Sequence, residues 1–341
     1  MDPMTTAEVA RRLGVKPETV YAYVSRGLLR SQRNGDGRGS LFDPADVEAL
    51  AAGGRRGVHA RETLAIQTGI TLIEDGRLFY RGHDACELAT AEPYESVVRL
   101  LWTGEPGPMT LTAPPELRTL AEAVTAPLPA SARRSDRLRL IVAAAAAADP
   151  FRFDTAPDAV VDTGARLLAT MVEALPSRSH GSPTESLAGR LWRRLTPVPP
   201  DQGGVTALNA ALILLADHDL AASTLAARVA ASTRAQPYAV VGAGLAALDG
   251  PLHGGASVGA YQVLIEAVTN GEPMRALSDR MRSGTAIPGF GHRLYPDGDP
   301  RANMLLRLLS ERHGDEAIHA AMGQLSTAMA SHSGKSPNID F

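Results

Sequence analysis

Three of the nine histidines stand in unusual surroundings. His218 lies in LLADHDLAAS, where a charged triplet interrupts an apolar helical run. His253 lies in DGPLHGGAS, between a proline and two glycines, and His292 in IPGFGHRLYPDGDPRA, a glycine-rich turn that runs into Asp299-Pro300-Arg301. Imidazole gives or takes a proton near neutral pH, a carboxylate takes one, and guanidinium grips a carboxylate with a forked pair of donors. The residue types therefore suit proton transfer and anion binding. Taken singly, each histidine reads more simply as a capped or buried structural residue, because proline and glycine also mark an ordinary tight turn.

Their order changes that reading. ADHDLAASTLAARVAAST, GPLHGGA, GFGHRLYPDGDPRA and SPNIDF follow one another with sensible spacing. The series resembles the citrate synthase family, which includes citrate and 2-methylcitrate synthases. The likeness extends upstream through PYESVVRLLWTGEPG and DGRLFYRGHDACELA, from about Ala60 to Phe341. It implies a mainly α, two-domain helical fold that forms a homodimer, its large and small domains closing over the substrates. The implied reaction is an aldol–Claisen condensation: acetyl-CoA is enolised, its methyl carbon attacks the ketone of oxaloacetate, and the citryl-CoA thioester is hydrolysed. No metal and no permanently bound cofactor is implied; the CoA thioester is a substrate.

The resemblance also assigns residues. Removing a proton from a thioester methyl needs a carboxylate base and a donor aimed at the carbonyl oxygen as charge develops. Asp340 aligns with the family's base, His253 with the donor that stabilises the enol, and His292 with the acid that protonates the ketone. If Gly254-Gly255 opens a helix, its positive end favours a neutral His253. Arg301 and His218 align with carboxylate ligands. The turn Ile287-Pro288-Gly289-Phe290-Gly291 aligns with the segment that cradles the adenine of CoA. Lys335 reads either as a contact to a CoA phosphate or as an exposed structural lysine.

Two departures stand out. Pro296 occupies a position where many members carry a basic residue for the CoA phosphates. Members of the family also continue past the base and return to the large domain with further arginines, whereas this sequence stops at Asp340-Phe341. A base beside a chain end is expected to be poorly held, since ends fray unless tied down.

The elements that must carry these groups are legible in outline. Aromatic residues make up 4% of the 341, and Ala143 to Ala148 is an unbroken alanine run, which favours helix and close helix packing over strand. Only Lys16 and Lys335 are lysine among 34 basic residues, a bias that coding preference explains as well as chemistry does. Thr5-Thr6-Ala7-Glu8 is a capping-box pattern for a helix to Leu13; Gly14 makes a turn, and Pro17 opens a second helix to Gly27. Ser31 to Ser40 reads as a flexible polar wing, and Asp43-Pro44 as N-cap and first residue of a third helix. That grammar, residues 1–52, is a MerR-like winged helix-turn-helix. Ala51 to Gly57 supplies a linker, centred on 53–57. Residues 58–253 are then the large domain and 254–341 the small domain. A hairpin is expected between Gly69 and Tyr80 around Asp75-Gly76. Helix breaks fall at Gly104–Pro106, Thr112–Pro115, Pro127–Pro129, Pro176–Pro183 and Thr196–Gly204.

Charge is nearly balanced, at 34 basic against 37 acidic residues, so no global field draws the chain to nucleic acid or anionic lipid. Residues 1–56 hold nine basic and seven acidic side chains, and Glu18 stands near the start of the recognition helix. DNA binding is weakly supported on that count, although Tyr21, Tyr23, Arg26, Arg33 and Arg38 are available. A single cysteine, Cys86, excludes a disulfide framework, and Val205–Ala216 is too short to cross a bilayer. The start lacks an apolar signal core, so a soluble cytoplasmic protein is expected. Three functions follow: a citrate synthase-type acyltransferase using acetyl-CoA or propionyl-CoA, a catalytically weakened DNA-binding metabolite sensor, or a subunit completed by a paralogue.

Overall fold

The computed structural model describes residues 3–25, 29–33, 40–53, 68–181, 185–250, 253–285, 287–312 and 316–341. They fall into two compact units, Met1–Ile66 and Gln67–Phe341. The first contains β1 (Met4–Thr5), α1 (Thr6–Leu13), α2 (Pro17–Ser25), β2 (Ser31–Arg33), β3 (Ser40–Phe42) and α3 (Pro44–Gly53). Glu8 accepts from the Thr5 N–H at 2.7 Å and from its hydroxyl at 2.8 Å, and Gly14 takes the left-handed conformation that ends α1. Asp43 caps α3 through the Ala45 N–H at 2.8 Å. Val9, Val20, Leu29, Phe42 and Val47 close the core.

Three expectations for this unit change. The wing is strand at its flanks, because β2 and β3 pair antiparallel and β1 extends them into a sheet of order β1-β3-β2; residues 34–39 lie outside the described set. Ala51 to Gly53 continue α3 and so are helix. Tyr23 packs against the core instead of facing outward, while Tyr21 is exposed. Arg26 and Arg38 lie outside the described residues.

The second unit is mainly helical. It opens with a sheet of β4 (Thr71–Glu74), β5 (Arg77–Tyr80) and β6 (His83–Asp84), in that order. Asp75 and Gly76 both have positive φ, as the tight hairpin turn demands. The helices are α4 (Ala85–Ala91), α5 (Tyr94–Thr103), α6 (Pro115–Thr125), α7 (Arg134–Ala148), α8 (Pro157–Glu173), α9 (Leu187–Leu195), α10 (Gln202–Leu214), α11 (Ala222–Ser232), α12 (Pro237–Leu248), α13 (Ala256–Asn270), α14 (Pro273–Arg282), α15 (Pro300–Ser310) and α16 (Glu316–Ser333). Proline opens α6, α8, α12, α14 and α15, where its missing N–H costs nothing. The last expected break runs three residues too far: Asp201 caps α10 by accepting from the Gly204 N–H at 2.7 Å, which makes Gln202 the first helical residue.

Two cores position the site. Leu78, Tyr80, Leu88, Val97, Leu100, Ile213 and Leu214 join β5, α4, α5 and α10, with Met304, Leu305 and Leu308 of α15 packed against them. Val263, Leu264, Ala276, Leu277, Phe290 and Leu325 join α13, α14 and α16. The Tyr80 hydroxyl is buried 2.9 Å from the Ile213 carbonyl and 3.0 Å from that of Asp217, and the Thr71 hydroxyl donates to the Asp217 carboxylate. The hairpin thus holds the last turn of α10 and Asp217, one residue before His218. Tyr80→Phe leaves these buried acceptors without that donor and is expected to cost about 1–3 kcal/mol. Urea unfolding checks this, and an unchanged midpoint would count against the tie.

Candidate active site

The loop between α14 and α15 carries His292 and Tyr295, and it is shaped by what it packs on. Gly289 has φ +87°, and a Cβ there would lie 3.1 Å from both the Ala260 Cβ and the Phe341 Cα. Gly291 has φ +78°, and a Cβ there would meet the aliphatic stem of Lys335 at 3.2 Å. With no side chains at these points, the final segment zips onto the turn. Gly291 N–H donates to the Ser336 carbonyl at 2.8 Å, Asn338 N–H to the Gly289 carbonyl at 2.9 Å, and the Asn338 side-chain amide to the Gly291 carbonyl at 2.8 Å. The Phe341 ring stacks on Phe290 with centroids 4.6 Å apart. The expectation that Asp340 is poorly held is therefore overturned: hydrogen bonds and a ring contact fix the backbone on both sides of it.

Arg301 lies in the first turn of α15. Asp299, the N-cap, accepts from the Arg301 N–H at 3.0 Å and grips its guanidinium through Nε at 3.0 Å and Nη2 at 2.8 Å. Both side chains are buried. The Asp299 oxygen that holds Nη2 also accepts from the Ile339 N–H at 3.1 Å, so one carboxylate holds Arg301 and the segment bearing Asp340. Nη1 of Arg301 is left without a hydrogen-bond partner among the described residues, free for an external carboxylate.

The histidines converge from different elements. His218 follows α10, and Asp219 beside it has a positive φ. The His218 Nε2 lies 3.0 Å from the Tyr295 hydroxyl, and its ring meets that of His292 edge-on at 5.2 Å. Burial, together with Arg301 and His292, pushes His218 down to about 4, so it is neutral at physiological pH. His292 is also held below the usual histidine range, chiefly by burial. Its Nδ1 accepts from the Leu294 N–H at 3.2 Å, which puts the proton of the neutral ring on Nε2.

His253 comes from the turn before α13, whose N-cap is Gly255, as the glycine pair suggests. Its Nε2 lies 2.8 Å from the Ser223 hydroxyl on α11. A Cβ at Gly254 would lie 2.5 Å from the Leu248 carbonyl, so only glycine lets the chain turn there. Burial raises the Asp340 carboxyl above the ordinary range, against the pull of Arg301, His292 and, more weakly, His253. His218, His292, Arg301 and Asp340 thus form one cluster, with His253 near Asp340. The Ile287–Gly291 turn adjoins the cluster, with the Ile287 side chain packed against the α13–α14–α16 core; Lys335 is exposed beside it. Ser223, Tyr295 and Asp299 were not singled out in the sequence, although all three lie inside the quoted motifs. An acidic N-cap two residues before an arginine is the signal that marks Asp299. Among the described residues no group of three His, Cys, Asp or Glu is arranged to hold a metal ion.

Residues 59–341 match the family model described as citrate synthase, C-terminal domain. The chain belongs to the citrate synthase family. It is an acyltransferase family, and this member carries an additional match to a helix-turn-helix domain over residues 3–55. Its citrate synthase domain is similar to the citrate synthase of Saccharolobus solfataricus, with 31% identity over 80% of this chain and 79% of that one. It is similar also to 2-methylcitrate synthase 1 of Corynebacterium glutamicum, with 30% identity over 79% and 77% of the two chains. The citrate synthase of Thermoplasma acidophilum, solved as a ternary complex with carboxymethyl coenzyme A and oxaloacetate, superposes with a TM-score of 0.66 at 26% identity. That superposition covers 82% of this chain and 80% of the other. No helix among the described residues is long and apolar enough to cross a membrane.

Proposed function

We propose that this citrate synthase family member condenses acetyl-CoA with oxaloacetate and water to give citrate and CoA. The observation that carries the reading is the convergence of the buried Arg301 with the half-buried Asp340 and the neutral histidines His218 and His292 in one cluster. The Asp340 carboxylate takes a proton from the acetyl methyl, and its raised pKa makes it the stronger base. His253 donates to the enol oxygen. The enol carbon then bonds to the ketone carbon of oxaloacetate as His292 Nε2–H gives its proton to the ketone oxygen. Water cleaves the citryl thioester, and CoA leaves as the thiol. Arg301 Nη1 and His218 bind the substrate carboxylates, the Ile287-Pro288-Gly289-Phe290-Gly291 turn receives the adenine, and Lys335 meets a CoA phosphate.

Residues 58–253 act as the large domain and 254–341 as the small one, closing over the substrates. The protein works as a cytoplasmic homodimer in the tricarboxylic acid cycle. Support for the dimer comes from α11 and α12. Both are apolar, yet α11 buries no residue and α12 only Tyr238, while Leu225, Val229 and Leu248 are exposed. Propionyl-CoA is the alternative acyl donor, giving 2-methylcitrate; one methylene changes discrimination by only about 1–3 kcal/mol.

His253→Ala tests the mechanism. Losing one donor to the developing enolate is expected to lower thiol release about 10²- to 10³-fold. A near-normal rate would remove His253 from that role. The winged helix-turn-helix supports a second reading, a DNA-binding sensor of the same ligands. A gel shift on a defined operator, with no thiol release from acetyl-CoA, would favour it. Oxaloacetate-dependent release confined to a mixture with a full-length paralogue would instead favour the partner-dependent subunit.

A further inference from the structure

At the centre of the cluster stands a residue that the condensation steps leave without a task. Tyr295 is 2% exposed. Its ring centroid lies 4.8 Å from that of His292, 5.6 Å from that of His218 and 5.4 Å from the guanidinium carbon of Arg301. Its hydroxyl lies 3.0 Å from His218 Nε2 and has no other hydrogen-bond partner among the described residues.

We propose that Tyr295 is a positioning residue: it donates its O–H to His218 Nε2, fixes the remaining ring proton on Nδ1, and so presents His218 to the substrate carboxylate as a single-donor ligand. The inference rests on the reading of His218 as a ligand of oxaloacetate. Only two arrangements satisfy the 3.0 Å contact. Either the phenol donates to Nε2, or Nε2–H donates to the phenol. In the second, the phenol proton is buried with no acceptor, a costly state. In the first, the phenol proton is used, and the ring proton on Nδ1 is the one left to face the substrate. Burial pushes the Tyr295 hydroxyl up to about 12 and, with Arg301 and His292, brings His218 down to about 4, so at neutral pH each keeps one proton. Nδ1–H is then the only donor of the His218 ring. The aromatic face meanwhile lies under Arg301 as a cation–π partner. Phenylalanine would keep that face and the packing, which isolates the hydroxyl as the variable.

Nitrogen NMR of histidine-labelled protein without substrate reads the tautomer directly, with the His218 signals assigned through His218→Gln. The expected result is a protonated Nδ1 and an unprotonated Nε2 in the wild type. Tyr295→Phe should give a mixture of tautomers. It should also weaken oxaloacetate binding about 3- to 10-fold in calorimetry and raise KM for oxaloacetate more than it lowers kcat. Protonation of His218 on Nε2 in the wild type overturns the proposal without need of any variant. So does a Tyr295→Phe protein with unchanged tautomer and unchanged affinity. Absence of oxaloacetate binding by the wild type would overturn the functional reading, on which the tautomer measurement does not depend.

Discussion

Asp340→Asn is expected to lower condensation about 10²- to 10⁴-fold, the usual contribution of a positioned general base, and to leave the fold intact. The hydrogen bonds that hold this segment run through the backbone of Ile339, Asp340 and Phe341 and through Asn338, so the amide disturbs none of them. The sign of the stability change is opposite to that of the activity. Burial raises the folded pKa of Asp340 above its unfolded value. Folding therefore favours the protonated form, and that stability, present at low pH, is lost as pH rises through the folded pKa. At neutral pH the ionised carboxylate is a burden on the fold, and the asparagine variant should be at least as stable as the wild type. The acid limb of kcat/KM should lie above the ordinary carboxylate range, because the base works only when ionised. A variant with normal turnover, or an acid limb within the ordinary range, would remove Asp340 from the role of base.

Arg301→Ala is expected to do two kinds of damage at once. A substrate carboxylate loses a charged hydrogen bond worth about 1.5–3 kcal/mol, so oxaloacetate affinity should fall about 10- to 100-fold. Asp299 is also left as a buried carboxylate without its cation, which typically costs 3–5 kcal/mol of stability. The loss should spread to the segment bearing Asp340 through the hydrogen bond from Ile339 N–H to Asp299. Calorimetry with oxaloacetate and urea unfolding separate the two effects. Asp299→Asn combined with Arg301→Ala removes the orphaned charge, and it should recover stability without recovering affinity. Equal stability of the single and double variants would show that the buried pair does not act as described.

The candidate site residues were legible through the resemblance carried by the order of the His218, His253, His292 and Asp340 motifs, since glycine and proline around any one histidine mark no more than a sharp turn. Turn chemistry is local, so Asp75-Gly76, Gly104 and Asp43-Pro44 fell where their own residues put them. What escaped was tertiary. Ser223 meets His253 across thirty positions, and Thr71 meets Asp217 across 146, with no periodicity to announce either contact. Three-residue strands such as Ser31–Arg33 and Ser40–Phe42 are too short to show alternation, so the wing read as wholly flexible. The firm hold on Asp340 was not legible because it depends on Gly289 and Gly291 letting Ser336 and Asn338 pair with the turn. Tyr295 carried no signal of its own in the sequence. Its importance comes from lying where three separate elements meet.

The most direct measurement is CoA thiol release by the purified full chain, given oxaloacetate with acetyl-CoA and, separately, with propionyl-CoA. The account predicts release that requires oxaloacetate and yields citrate from acetyl-CoA, with the ratio of the two rates setting the acyl preference. Folded protein that releases no thiol from either substrate would contradict it.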